Sequence, residues 1–521
     1  MRSLNTLLCV STLLATAAHA QLSGELDLTF SSDGIATCDF PSNHDDRGLC
    51  MVVQPDGKIL MGGGSHQGNG VKFALARFKP DGSLDASFGS GGRVATQVGS
   101  PPSLDEAFYA LALQPDGKIV AVGRSYAGNG YLAAVHRYNA NGTLDATFSG
   151  DGKQLDNLGA GNDDAYYSVA IQDDGGIVVG GVAKASAEYD AVVARYTPSG
   201  ALDASFSGDG FATLDIGGVD NRANAMVLQP DGKVVIAGQT GNAAVDSDFL
   251  LARFTTSGTL DTGFGTNGTV ISAFSTGTDW AYALVRQPDG KLIAGGLVTN
   301  GVAANIGLAR YDADGMPDDD FGSNGLTFYN YSNACYARAL ALMPDGRIAV
   351  AGNSAVALIA AMFNADGSVD MNFSTDGVAS PALGGTAFGY AAAVQADYKL
   401  LVAGQAVQGA AQNNFIIARY YTGMNIGVEE VSEAVTALRV LPNPASDALE
   451  LRFAVERSER ITINLLDAQG RVVDALLSMT VQPMGEQRLR LVLPASLAPG
   501  EYTMVVAGER SALGSARFVK Q

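Results

Sequence analysis

LALQPDGKIVAVG, Leu111 to Gly123, reads as a tight β-hairpin: one apolar run enters Pro115-Asp116-Gly117 and a second, Ile119 to Val122, leaves it. Proline presets φ for the first turn position, and Asp-Gly tolerates the tight or left-handed positions that follow. Seven such turns occur, at Gln54 to Lys58, Gln114 to Lys118, Gln172 to Gly176, Gln229 to Lys233, Gln287 to Lys291, Met343 to Arg347 and Gln395 to Lys399. Two other landmarks cycle with them in fixed order. One is a strand ending in Arg-aromatic, from Arg77-Phe78 to Arg419-Tyr420, with Met362-Phe363 as the departure. The other is an Asp-x-x-Phe turn, from Asp27/Phe30 to Asp370/Phe373, whose successive phenylalanines lie 58, 60, 58, 58, 57 and 52 residues apart.

A unit of about 58 residues has room for four short strands. In the second unit they are expected after Gly92, over Tyr109 to Gln114, Lys118 to Gly123 and Tyr131 to Tyr138. Four-stranded units repeated seven times imply a β-propeller, in which each sheet packs on both neighbours. Runs such as Phe73-Ala74-Leu75-Ala76 alternate large with small apolar residues, as blades buried on both faces require. The strand entering each hairpin carries a small residue, Cys50, Ala110, Ser168, Ala225, Ala283, Ala339 or Ala391, suited to a crowded innermost strand. A strand near Ile35 to Phe40 is expected to pair beside residues 390–421, closing the ring and leaving no exposed edge there. The register breaks after Gly423, and shorter alternating runs such as Ile461 to Leu465 and Leu489 to Leu493 follow. The expected fold class is all-β: a seven-bladed β-propeller over 21–425, an acidic linker over 426–435, and a small immunoglobulin-like β-sandwich over 436–521.

Residues 1–20 read as an export signal: Arg2, the apolar stretch Leu7 to Thr16, and the small-x-small pattern Ala18-His19-Ala20. A membrane span needs roughly 18 or more apolar residues, and no stretch supplies them. Cys38, Cys50 and Cys335 remain after cleavage, an odd number without C-x-x-C spacing, which argues against a disulfide framework and a zinc site. The formal charge is −20, and residues 21–435 carry 22 basic against 44 acidic side chains. So acidic a surface repels phosphate backbones, which argues against a nucleic-acid partner.

The cycle of LDxxF, QPDGK and ARY motifs resembles the delta-60 repeats of secreted bacterial proteins over roughly residues 24–423, with Gly176, Met362 and Tyr398 as departures. That resemblance implies the propeller and no general biochemical activity. The segment 436–521 resembles the type A sorting domain of the type IX secretion system of Bacteroidetes. Its motif residues are Pro442, Asn443 and Pro444, then Gly470 and Arg471, Gly500 and Tyr502, and the basic-ended last strand at Lys520. The resemblance implies that the type IX machinery is a partner through 436–521. It further implies passage across the outer membrane, with the product released outside the cell or attached to the outer-membrane surface.

No catalytic constellation, P-loop or metal-ligand spacing is visible, and His44, His66 and His136 occupy different repeat positions. The plentiful glycines are assigned to turns. The repeated Asp of LDxxF is expected to accept turn N–H bonds and the repeated Arg to pair with a carboxylate, a pairing that Met362 removes from one blade. Candidate ligand-binding residues lie just before each innermost strand: the acids Asp46, Glu106, Asp164 and Asp279, followed by the aromatics Tyr109, Tyr167 and Tyr282, with Trp280 and Tyr390 nearby. Carboxylates beside aromatics suit a divalent cation such as Ca²⁺ or a sugar; no cofactor is otherwise indicated. Three functions stay open, with the balance leaning away from an enzyme. They are a non-enzymatic binding or adhesion module for polysaccharide, protein or cation; a carbohydrate-active hydrolase or lyase using the carboxylates; and a structural spacer.

Overall fold

The computed structural model describes residues 22–520 apart from 42–43, 69, 99–104, 186, 243–245, 300–302, 333, 409–411, 425–438, 442–447, 456–458, 467–471, 483–484, 495–496 and 509–511. The chain divides into two compact units, Met1–Gly423 and Met424–Gln521. The export signal, the linker and the motif residues Pro442, Asn443, Pro444, Gly470 and Arg471 lie outside the described residues.

The first unit is seven four-stranded antiparallel sheets. The innermost strands are Asp46–Val53, Ala107–Leu113, Ala165–Ile171, Asp220–Leu228, Asp279–Arg286, Cys335–Leu342 and Ala387–Val394. The blade containing LALQPDGKIVAVG runs Ala107–Leu113, Ile119–Tyr126, Tyr131–Tyr138 and Lys153–Asp156, so both strands of the opening hairpin lie at the centre of a blade. Its turn is closed by Gln114 N–H donating to the Lys118 carbonyl at 2.9 Å. Apolar cores lie between blades, as in the cluster joining Cys50, Leu60 and Phe73 to Phe108 and Ile119 of the next sheet.

The ring closes through the N-terminal strand, as expected. Ile35–Cys38 is the outer strand of the seventh blade, pairing Ile35 with Ala418 and Cys38 with Phe415. Asp27 and Arg419 complete the junction, Arg419 Nε donating to Asp27 Oδ2 at 2.8 Å. The seventh repeat is therefore split, its hairpin and ARY strand near residues 395–420 and its Asp-x-x-Phe turn at Asp27.

The landmark residues staple each blade to the next. Arg77 Nε donates to Asp85 Oδ2 at 2.9 Å, its guanidinium lies 4.6 Å over the Phe88 ring, and Nη1 donates to the Ala140 carbonyl of the following blade at 2.6 Å. Asp85 Oδ1 accepts from Ser87 N–H at 3.1 Å, the turn bond expected of it. The blade with Met362 does not lose the pairing. Arg347 Nη1 reaches Asp370 Oδ2 at 3.0 Å and the Thr422 carbonyl at 3.0 Å. Tyr398, standing where the other hairpins have glycine, takes φ +63°.

In the second unit, sheets of three and four described strands share one core that includes Leu451, Phe453, Ile463, Leu491, Met504 and Val506. Gly500 pairs with Lys520 across the last two strands, and Tyr502 is buried with its hydroxyl donating to the Ala498 carbonyl at 2.9 Å.

Candidate functional site

Each innermost strand makes the same irregularity three residues after a buried residue at or next to its start, Asp46, Glu106, Asp164, Asn221, Asp279, Cys335 or Ala387. The register skips one residue between Gly48 and Cys50, Phe108 and Ala110, Tyr166 and Ser168, Ala223 and Ala225, Ala281 and Ala283, Ala337 and Ala339, and Gly389 and Ala391. A bulge leaves the extra residue unpaired and re-aims it. The seven bulged residues are Leu49, Tyr109, Tyr167, Asn224, Tyr282, Arg338 and Tyr390, and all seven line one cavity of about 490 Å³. Arg222, Gln239 and Trp280 complete the lining.

The facing strand makes room for the bulge with a glycine in every blade: Gly63, Gly123, Gly181, Gly238, Gly296, Gly352 and Gly404. A Cβ on any of them would overlap a carbonyl oxygen of the inner strand, from Arg47 O in the first blade to Phe388 O in the last. These mid-strand glycines serve close approach, contrary to the expectation that glycines serve turns alone.

The candidate set divides in two. Tyr109, Tyr167 and Tyr282 converge on the cavity with Tyr390 and Trp280. Asp46, Glu106, Asp164 and Asp279 do not line it; all four are fully buried. Asp164 accepts from Leu158 N–H at 2.6 Å and Lys184 N–H at 2.8 Å. Asp279 accepts from Phe274 N–H at 2.9 Å and Thr299 N–H at 3.1 Å, Asp46 from Phe40 N–H at 2.7 Å, and Glu106 from the Ser125 hydroxyl at 3.0 Å. These acids tie the incoming loop to its blade, and Cys335 does the same where its thiol accepts from Tyr331 N–H at 3.4 Å. Burial pushes Asp46 and Asp279 up to about 6. The small residues after the bulge face the neighbouring blade, as Cys50 does with the Phe108 carbonyl 3.7 Å from its sulfur.

Aromatic and cationic groups stand side by side around the cavity. The Tyr109 and Tyr167 rings are 5.2 Å apart, and Trp280 and Tyr282 6.1 Å. The Arg338 guanidinium lies 4.2 Å over the Tyr282 ring, 4.9 Å from Tyr336 and 5.8 Å from Tyr390. Asp105 is bonded by both Arg47 and Arg124. Arg222 lies 3.6 Å from Asp220 Oδ2 and 4.2 Å over the Tyr189 ring. Burial raises the phenols of Tyr109, Tyr167, Tyr282 and Tyr390, so they stay protonated at neutral pH.

Arg222, Asn224, Gln239 and Arg338 were not singled out from the sequence. The signal that finds Asn224 and Arg338 is position, since each bulged residue stands three after the buried residue at or next to the start of its inner strand, whatever its side chain; Arg222 and Gln239 have no such signal. The histidines stay outside the site. His136 is fully buried between Phe73 and Phe108, which pushes it down to about 3. His44 and His66 meet edge to face at 4.7 Å. Among the described residues no group of three or more His, Cys, Asp or Glu is placed to hold a metal ion, and no helix is long and apolar enough to cross a membrane.

The family model described as domain of unknown function (DUF5122) beta-propeller matches residues 54–88, 114–148, 172–206, 229–264, 287–321 and 344–373. Each match begins within a hairpin and ends at an Asp-x-x-Phe turn, and the split seventh repeat accounts for there being six. The secretion system C-terminal sorting domain matches 439–521. No curated protein matches the chain. Similar solved structures include a protein of unknown function from Dyadobacter fermentans, 14% identical with a TM-score of 0.38, covering 74% of this chain and 98% of that one. The polysaccharide lyase Uly1 is 13% identical with a TM-score of 0.42, covering 74% and 91%, and YCF48 bound to D1 peptide is 13% identical with a TM-score of 0.42, covering 78% and 99%. The chain is a DUF5122 β-propeller repeat protein with a type IX secretion C-terminal sorting domain, exported for release or for attachment at the outer-membrane surface.

Proposed function

We propose that the protein is a secreted, non-enzymatic binding module that holds a polysaccharide in the central cavity of the propeller. One observation carries this reading: all seven bulged residues turn into a single cavity, four of them tyrosines, with Trp280 beside them. Concave, aromatic-lined sites with a few placed polar groups are the usual form of a ligand pocket. The carboxylates a hydrolase would use are committed elsewhere, to backbone N–H groups at Asp46, Asp164 and Asp279 and to arginines at Asp105.

The test is a glycan array followed by thermal melts of the mature chain with its hits. A ligand that binds only the folded state raises the midpoint by mass action. Binding without turnover, weakened at least tenfold by Trp280→Ala or Tyr282→Ala, is the expected result. A released sugar product would make the protein a hydrolase or lyase. A flat array and flat melts would leave a structural spacer.

A further inference from the structure

We propose that the saccharide held in the channel is acidic, its carboxylate or sulfate oxygens received by Arg338 with Arg222 beside it. This deepens the channel-binding reading and rests on it. Among the described residues the other lining arginine, Arg222, has Asp220 as a carboxylate partner, and the nearby Arg47 and Arg124 share Asp105. Arg338 forms no ion pair among them, and its Nε is buried without a hydrogen-bond partner. Its guanidinium is instead held among tyrosine rings, 4.2 Å over Tyr282. A planar guanidinium fixed in this way presents its fork to a carboxylate or sulfate.

The rest of the lining has the same bias. The protonated phenols of Tyr109, Tyr167, Tyr282 and Tyr390 are O–H donors. The carboxylates of Asp46, Glu106, Asp164 and Asp279, which a neutral sugar could use as acceptors, are buried away from the cavity. Asn224 donates its amide to the Ala281 carbonyl at 2.8 Å, which leaves its Oδ1 as an acceptor in the lining. With Arg338, Arg222 and four phenols against the amides of Asn224 and Gln239, the lining is weighted toward donors and suits a ligand rich in acceptors. The acidic surface that argues against a long polyanion spread over the outside does not bar a short acidic oligosaccharide in the cavity, where Arg338 lies close and exposed charges beyond about 8 Å are largely screened at physiological salt. Flat aromatic faces around the cation favour a sugar ring over a peptide terminus, because the C–H faces of a pyranose stack on them.

The experiment is titration calorimetry of the mature chain with oligogalacturonate, its neutral methyl ester, a sulfated oligosaccharide, and a peptide with a free C-terminal carboxylate. Oligogalacturonate or the sulfated sugar should bind roughly tenfold to a hundredfold tighter than the ester, the range a charge-assisted hydrogen bond supplies. That advantage should shrink as salt is raised. Arg338→Met, shown folded by an unchanged melt, should abolish the advantage, and Arg338→Lys should keep part of it. If Arg338→Met proves unfolded, a reduced but not abolished advantage in Arg338→Lys, together with a reduced advantage in Arg222→Met, carries the test. Equal affinity for acid and ester overturns the acidic ligand while leaving channel binding intact. Binding of the peptide alone, or a midpoint raised by Ca²⁺ alone, overturns the saccharide. Failure of every probe, neutral glycans included, overturns both readings.

Discussion

Asp370 occupies the same turn as Asp85 and Asp145 but lacks their strand arginine, because Met362 stands where Arg77 and Arg137 stand. Arg347, at the hairpin position where most repeats have lysine, crosses to Asp370 and also reaches the Thr422 carbonyl. One side chain thus does in this blade what two do elsewhere, and its removal leaves a buried carboxylate without its cation. Arg347→Ala should destabilise by about 2–3 kcal/mol. Lys118→Ala, at the same position in a blade where Arg137 already pairs with Asp145, should cost under about 1 kcal/mol. Thermal melts compare the two directly, and equal losses would show that Arg347 has no special role. The sequence showed Asp-Arg pairing as a repeated pattern and marked Met362 as a departure. It did not show the compensation, because Lys-to-Arg at a hairpin end looks like an ordinary surface exchange until the third dimension brings residue 347 to residue 370.

Strand by strand, hairpins and blade order were legible because apolar alternation and turn residues are local signals. The bulge was not, since it depends on a glycine on the facing strand, and a glycine inside a strand is easily taken for a turn. Gly296→Ala would drive a methyl group into the Trp280 carbonyl oxygen, and that oxygen belongs to the bulge that aims Tyr282. The loss should be about 3 kcal/mol or more, in the range of overpacked cores, and saccharide binding should fall with it. Gly290→Ala, at a left-handed hairpin position of the same blade, should cost about 1–2 kcal/mol and leave the cavity unchanged. The buried acids at the strand starts predict a pH effect. Asp279 is raised in the folded state to about 6 against an ordinary 3.8. Between those values the folded protein holds a proton that the unfolded chain releases, so the contribution of Asp279 is full below about pH 4 and declines as pH rises to about 6. Asp279→Asn cannot titrate. Its stability deficit relative to the parent should therefore be largest near pH 4 and narrow by about 2–3 kcal/mol by pH 7. Melts of both proteins across that range check it, and a constant gap would sink the assignment.

At the scale of the whole propeller, five staples bind residues only eight apart, as in Arg137 with Asp145, and Arg347 reaches Asp370 across 23, whereas the seventh binds Arg419 to Asp27 across 392 residues. The split repeat makes that junction the expected place for the ring to open. Its chemistry is correspondingly dense. Asp27 is fully buried and is bonded by Arg419 Nε at 2.8 Å, the Tyr421 hydroxyl at 2.7 Å and the Thr29 hydroxyl at 2.7 Å, with Lys399 Nζ at 3.0 Å. These partners together hold its carboxyl well below the usual range against the opposing effect of burial. Its stabilisation is therefore present above about pH 4 and lost only as pH falls through that depressed value. Asp27→Ala would strand the buried Arg419 and loosen Ile35–Cys38 from the seventh blade, leaving a strand edge open to pairing. It should cost about 3–5 kcal/mol, as when one partner of a buried ion pair is removed. Asp203→Ala breaks a staple whose carboxylate is a quarter exposed and whose strands stay joined through a short turn, so about 1 kcal/mol is expected. The sharper difference should be kinetic. Opening the junction removes the contact that holds the two ends of the propeller together, so Asp27→Ala should shorten the unfolding half-life in denaturant far more than Asp203→Ala. It should also bring proteolytic cleavage first to the segment around Ile35–Cys38. Equal unfolding rates for the two variants would mean that the ring opens elsewhere, and that the seventh blade is only one of seven equivalent contacts.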